Sequence, residues 1–163
     1  MSKQVLPPPL PPETRTVGQL VAETLKLYGR NVRLALVIGL APATLDLVAT
    51  GMTRSEALFF VPLVGGPVLT AAFILASIGA LGVRPGRRAL VTAFAAGVLV
   101  FLPFPFLASV FILPGLAWFA FVGLAVPAAV AEGGGLGASL RRGIELGRAD
   151  FVHALGSLAA LAI

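Results

Sequence analysis

The sequence contains no cysteine and only one histidine, His153. Without cysteine the chain has no disulfide, no thiol nucleophile and no cysteine-ligated zinc or iron–sulfur site. A single histidine with no second ligand or nucleophile near it in sequence does not build a metal site or a catalytic triad, because both need several convergent groups. We therefore expect no metal, no cofactor and no catalytic residue.

Charged residues are also few: they make up 12% of the 163 residues, whereas 58% are hydrophobic and the mean hydropathy is +0.98. Soluble domains carry about 25% charged residues. The charges fall into small clusters separated by long uncharged stretches, which leaves no charged exterior for a soluble core. This distribution predicts an all-α fold, a polytopic transmembrane helical bundle of four spans plus an incomplete fifth, with amphipathic interfacial helices.

The first two spans are predicted from their length and composition. Residues 32–50 and 57–83 are long and apolar enough to cross about 30 Å of hydrocarbon at ~1.5 Å per residue. Two prolines and two glycines between residues 62 and 67 interrupt the second stretch, and Pro67 suits the first turn of a helix. The second span is therefore predicted to be broken or tilted.

The uncharged run from Ala89 to Ala131 is long enough for two more spans, and it offers two places to turn. A turn at PFPF, residues 103–106, gives spans 89–102 and 107–131. A turn at LPG, residues 113–115, gives a longer third span and a shorter fourth. We favour PFPF because two prolines two residues apart break a helix more firmly than one, although neighbouring helices can repair a kink in a bilayer.

The N-terminal region precedes the first span and is more polar. Residues 1–13 contain five prolines and are predicted to form a disordered, extended tail ahead of the membrane domain, residues 14–163. Thr16 and Gln19 fit a capping box that opens a helix over residues 16–29. Its apolar and polar residues lie on opposite sides, which predicts a helix on the membrane surface.

A second amphipathic helix is predicted after the glycines at 133–135. It covers residues 138–150, and the residues on its apolar face are Leu140, Ile144, Gly147 and Phe151. Residues 151–163 are too few to cross a membrane and are expected to begin a fifth span. On this interpretation the chain is a fragment of a longer protein.

The basic residues predict the orientation of the chain. All but one of the 12 lysines and arginines lie in segments that four spans would put on the N-terminal side, and the exception is Arg54. The positive-inside rule then predicts a cytoplasmic N-terminus in a bacterial cell (inner) membrane. The net charge of +5 is explained by this rule and by anionic lipid headgroups, so nucleic acid is not an expected partner.

Two candidate sites follow from the polar residues. Asp46 is the one acid within a predicted span, and it is a candidate proton or cation site near the outer end of that span. The second candidate site is for a lipid phosphate. It combines a glycine loop, a helix N-terminus and two guanidiniums, in the sequence EGGGLGAS followed by Arg141 and Arg142. The alternative for the arginines is that they only set the topology, and Asp46 can equally reach water at the interface.

Three stretches of the sequence resemble a bacterial membrane family that includes the membrane domain of glycerophosphoryl diester phosphodiesterases and uncharacterised multi-span relatives. The stretches are TVGQLVAETLKLYGRNVRLAL, LPGLAWFAFVGLAVPAAVAEG and LGASLRRGIELGRADF. The residues that match are Pro114, Gly115, Pro127, Glu132, Arg142 and Leu146, whereas Gly143 stands where the family usually has serine. The resemblance implies a surface helix before the first span and an arginine-bearing helix that leads to further spans. It does not imply enzymatic activity, because the metal-binding acids and histidines of a phosphodiesterase are missing.

Three functions are compatible with these patterns. The one we favour is a non-enzymatic membrane module that organises lipid or protein partners at the inner leaflet. The second is part of a membrane transporter that uses Asp46 and a broken second span. A membrane enzyme comes last, because the sequence has no cluster of acids or histidines and no activated nucleophile.

Overall fold

The structure, a computed structural model, describes residues 17–162, and all regular elements in that range are helical. The predicted proline-rich tail, Thr16 of the predicted capping box and Ile163 lie outside the described residues. The elements in chain order are α1 (Val17–Arg30), α2 (Val32–Ala49), α3 (Arg54–Phe60), a π-helix (Val61–Gly65), α4 (Gly66–Leu81), α5 (Arg87–Phe101), α6 (Phe104–Val110), α7 (Ile112–Val122), α8 (Ala125–Glu132), α9 (Leu136–Ala149) and α10 (Phe151–Ala162).

Four helical segments are long and apolar enough to cross a membrane. They are numbered spans 1 to 4 in chain order: Val32–Ala49, Arg54–Leu81, Arg87–Val110 and Ile112–Glu132. The predicted all-α helical bundle is thus confirmed, and by length and composition the chain is a membrane protein. Helices also form where the two amphipathic helices and the beginning of a fifth span were predicted, as α1, α9 and α10.

The core of the bundle lies where α4, α5 and α8 meet. Its buried residues are small or β-branched: Ile74, Ala93, Ala96, Ala125, Val126, Ala129 and Val130. Alanine lets helix backbones approach closely, which is how helices in a lipid environment gain packing energy. Span 1 packs mainly against α4 and has no buried residue of its own, so it lies at the edge of the bundle.

Span 2 is helical from Arg54 to Leu81, so of the two predicted alternatives, broken or tilted, the break is wrong and the tilt stays a prediction. The helix begins at Arg54, three residues earlier than predicted, because Thr53 and Glu56 form a capping box in which each side chain accepts a hydrogen bond from the other residue's backbone N–H. Around the prolines and glycines the backbone takes a π-helical register, in which the Gly66 N–H bonds to the Val61 carbonyl. This register accommodates Pro67, which has no N–H of its own, without ending the helix.

The predicted turn between spans 3 and 4 at PFPF is also wrong. The chain reverses at Phe111, whose backbone is extended (φ −162°, ψ 141°), just before LPG. Pro103 and Pro105 fall at the start of α6, where a helix needs no N–H donors, so they begin a new helical turn instead of stopping the span. The alternative division is right that the third span is longer (24 residues) and the fourth shorter (21 residues), although LPG lies in the first turn of α7 and not in the connection.

A hydrogen bond from span 4 satisfies a backbone carbonyl of span 3 just before PFPF. The indole Nε1 of Trp118 donates to the backbone carbonyl of Val100, 2.8 Å away, at the end of α5. The last carbonyls of a helix have no intrahelical donor, and in a bilayer core a neighbouring helix must supply the missing hydrogen bond. The rings of Phe101 and Phe119 pack at the same level, with centroids 5.5 Å apart.

Helix α9 runs antiparallel along span 4. Gly143 lies against the backbone of Ala125, and one turn later Gly147 lies against the carbonyls of Ala120 and Phe121. We predicted that the apolar side of this helix rests on the membrane surface, but in the structure span 4 covers it. The reason is the absence of a side chain at Gly143 and Gly147, which allows backbone-to-backbone approach.

Candidate functional site

Basic residues gather at one end of the bundle. Span 1 begins beside the end of span 2, where Leu34 packs against Gly79, and span 4 ends beside the start of span 3, where Gly133 lies next to Ala89. These contacts bring the ends of all four spans that carry basic residues to the same side. The basic residues near that end, called the basic end below, are Lys26, Arg30, Arg33, Arg84, Arg87, Arg88, Arg141 and Arg142, whereas Arg148 lies farther along α9, beside the middle of span 4.

Arg141 and Arg142, the predicted lipid-phosphate residues, are paired with carboxylates. The Nε of Arg142 lies 3.1 Å from a Glu132 oxygen, and its Nη1 lies 3.7 Å from Glu145. Arg141 pairs with Glu145 at 2.9 Å. Both arginines lie more than one turn beyond Gly135, the residue that precedes α9, so the structure does not join them to the helix N-terminus in a single cradle. Their role in binding phosphate stays a prediction.

The turn between spans 2 and 3 has a different charge balance. Helix α4 ends at Gly82, which has a positive φ of 65°, and α5 begins after Gly86, which has no side chain to cap the helix. Three exposed arginines lie here, and none of them forms an ion pair or side-chain hydrogen bond with a described residue: Arg84, Arg87 and Arg88. The guanidiniums of this turn are therefore free to bind an anion, unlike those of Arg141 and Arg142.

An apolar groove of about 570 Å³ runs between α4 and α5 on the outside of the bundle. Its α4 wall consists of Ala71, Ile74, Leu75 and Ile78, which are spaced along one helix face, and its α5 wall consists of Leu90, Val91 and Phe94. Four of these side chains are exposed: Leu75 (43%), Leu90 (36%), Val91 (70%) and Phe94 (43%). The groove therefore opens sideways, toward the hydrocarbon of a surrounding membrane.

The groove ends close to the arginine turn. Arg87 precedes Leu90 by three residues and Val91 by four, so it lies on the groove side of α5, one turn nearer to the helix start. On the other wall, Ile78 lies one turn before Gly82, at the end of α4. Sequence reasoning missed this combination, although the spacing of Arg87, Leu90, Val91 and Phe94 could have indicated it.

Asp46, the other predicted site residue, lies exposed on α2, and its carboxylate has no hydrogen-bond or ion-pair partner in the described part of the chain. Arg54, its nearest cation in the sequence, donates to the Ser109 carbonyl at 3.5 Å instead. The neighbour of Asp46, Leu45, contacts Gly65 of the π-helix. The structure thus leaves the carboxylate outside the contact between α2 and the π-helix, and it does not join the two features on which the transporter hypothesis depends.

Thr70 is the one described residue with a buried side-chain polar atom that lacks a partner. Its side chain packs so closely against Gly97 that a methyl group at position 97 would overlap it. No ligand fits between α4 and α5 at this level, so the hydroxyl does not mark a site. Among residues 17–162, no group of three or more histidine, cysteine, aspartate or glutamate residues is arranged to hold a metal ion.

The basic end and the adjoining groove thus bring together free guanidiniums and an apolar surface, a combination that suits an amphiphilic anion. The resemblance to the membrane domain of glycerophosphoryl diester phosphodiesterases stays a prediction. Comparison of the chain with protein-family models, with curated proteins and with solved structures gives no match.

Proposed function

We propose that this chain is a non-enzymatic module of a bacterial inner membrane that organises anionic lipids, and membrane-protein partners, at the cytoplasmic leaflet. The N-terminus lies in the cytoplasm. The observation that carries the proposal is the unequal charge of the two ends of the bundle. Of the described lysines and arginines, Arg54 lies at the end opposite the basic end, Arg148 lies beside the middle of span 4, and all the others lie at the basic end.

Two physical effects connect this asymmetry to the proposed role. Arginine and lysine in short loops are retained on the cytoplasmic side during insertion, which supports the orientation. Once there, they face a leaflet rich in anionic headgroups, whose attraction for basic residues falls off within a Debye length of the surface. Because the arginines of the turn after α4 have no carboxylate partner among the described residues, their charge is available to lipid.

The experiment that tests this function measures which lipids co-purify with the protein. The full chain is extracted from bacterial membranes in a mild detergent, and bound phospholipids are counted by class with native mass spectrometry. We expect phosphatidylglycerol and cardiolipin to be enriched about 3-fold or more over phosphatidylethanolamine, relative to the whole membrane, because several free cations face the headgroups. Bound lipid with the same composition as the membrane contradicts the proposal.

A matched pair of variants shows whether the basic end is responsible. The test variant replaces Arg84, Arg87 and Arg88 with glutamine, and the control variant replaces Arg54, at the opposite end, with glutamine. The first should lose most of the enrichment and the second should keep it. Equal enrichment in both variants would mean that the turn after α4 does not select lipid, and the function would then lose its main support.

A further inference from the structure

We propose that the groove between α4 and α5 is a specific site for one anionic phospholipid, with an acyl chain along the groove and the phosphate on Arg87. This inference rests on the proposed function and names the site at which that function operates. It requires three properties of the groove: an apolar lining, an opening toward lipid, and an uncompensated cation at the headgroup end.

The lining accepts an acyl chain and little else. All seven side chains that form the groove are apolar, and they come from two helices that are packed together along this side. The α4 wall extends from Ala71 to Ile78, about 10 Å at ~1.5 Å per residue, which is the length of a segment of an extended acyl chain. A polar solute would find no hydrogen-bonding side chain there, so a hydrocarbon is the chemically matched occupant.

The direction of the groove fits a lipid of the cytoplasmic leaflet. Its deep end is formed by Ala71 and Phe94, and its shallow end by Ile78 and Leu90, next to the start of α5. A phospholipid in that leaflet has its phosphate at the membrane surface and its chains pointing toward the midplane. The phosphate of a lipid in the groove therefore comes to the level of Arg87, whose guanidinium suits bidentate contacts with phosphate.

Charge complementarity selects an anionic headgroup. Arg87 has no carboxylate partner among the described residues, and the first backbone N–H groups of α5 have no side-chain cap. A zwitterionic lipid brings its own cation into this environment, whereas phosphatidylglycerol brings a net negative charge. Arg141 and Arg142 of α9 differ from Arg87, because Glu132 at the end of α8 and Glu145 of α9 already pair with them.

The test is photo-crosslinking with a diazirine-labelled lipid. The full chain is reconstituted in vesicles of phosphatidylcholine that contain a small fraction of phosphatidylglycerol with a photoreactive diazirine on one acyl chain. After illumination, adducts are mapped by peptide mass spectrometry. We expect adducts to concentrate on α4 and α5 at groove residues such as Leu75 and Val91. A phosphatidylcholine probe with the same diazirine should give about 5-fold fewer groove adducts, a difference of about 1 kcal/mol.

Three variants separate the site from general electrostatics. Arg87→Gln should lower groove adducts of the phosphatidylglycerol probe about 5-fold, to the phosphatidylcholine level, whereas Arg148→Gln removes an equal charge from exposed α9 and should leave them unchanged. Ala71→Phe puts a ring into the groove and should reduce adducts of both probes. Arg87→Lys keeps the charge and should keep most of the adducts. It is the control that shows whether the loss in Arg87→Gln comes from the missing charge or from a disturbed fold.

Several results would overturn the inference. Equal adduct yields for the two probes in the unchanged chain would mean that the groove is ordinary lipid-facing surface. An equal fall in Arg87→Gln and Arg148→Gln would mean that only the total charge matters, a result that leaves the proposed function standing while removing the site. Protein dimers cross-linked through α4 and α5, with no lipid adducts, would mean that a second copy of the chain covers the groove.

Discussion

Two glycines decide how α9 is held. At Gly143 an added Cβ would lie 2.5 Å from the backbone nitrogen of Ala125, and at Gly147 it would lie 2.7 Å from two carbonyl oxygens of span 4. Backbone atoms cannot move aside as a flexible side chain can, so the helices would have to separate. Alanine is otherwise the better helix former, which means that glycine is required here for space and not for flexibility.

We expect Gly143→Ala to destabilise the protein in detergent by about 1–3 kcal/mol, because it overpacks a backbone contact. The measurement is thermal unfolding followed by far-UV circular dichroism. The control is Gly137→Ala in the same helix, where an added Cβ meets nothing within 4 Å. That change should be neutral or stabilise by less than about 1 kcal/mol. Equal effects at the two positions would show that α9 does not pack on span 4 as described.

The ion pairs of individual arginines could not be predicted from the sequence. Arg141 and Arg142 stand next to each other after a glycine loop, and that spacing gave no sign that Glu132, ten residues before Arg142, returns to pair with it. Sequence spacing brings residues together only within a helix turn or two. For the same reason the free state of Arg87 was not predictable, because α8 and α9 pack against α5 and carry Glu132 and Glu145, which the structure pairs with Arg141 and Arg142 instead.

At the scale of elements, the turn between spans 3 and 4 could not be predicted from the prolines alone. Pro103 and Pro105 are helix breakers when judged locally, and their position at the start of α6 was not encoded in their spacing. Span 3 continues from α5 into α6, and Trp118, 18 residues after Val100, donates to the Val100 carbonyl at the end of α5. Span lengths followed from hydropathy, whereas the position of the turn followed from a contact between two spans.

Trp118→Phe tests this role of the indole. The change keeps an aromatic ring but leaves the Val100 carbonyl without its donor, so we expect a loss of about 1–3 kcal/mol of stability. Because Trp118 is the only tryptophan, unfolding is followed by far-UV circular dichroism instead of fluorescence. Phe106→Leu, at an exposed aromatic of α6, is the control and should change little. If both variants unfold alike, the hydrogen bond does not support span 3.

Over the whole molecule, the orientation in the membrane can be measured directly, because a chain without cysteine accepts single cysteines as reporters. Gly51 lies between spans 1 and 2, and Gly86 lies between spans 2 and 3; both are exposed and have space for a side chain. In intact cells an impermeant maleimide should label Gly51→Cys and leave Gly86→Cys unlabelled until the membrane is permeabilised. The reverse pattern would put the basic end outside and contradict the proposed orientation.

The sequence by itself determined that this is a chain of apolar helices with its basic residues at one end. Hydropathy and charge are properties of consecutive residues, and they accumulate over a span without reference to the rest of the fold. The tertiary structure alone decided where span 3 turns, what α9 packs against, and which arginines keep a free charge beside an apolar groove. Each of these depends on pairs such as Trp118 and Val100, or Gly143 and Ala125, which meet only after the spans have packed together.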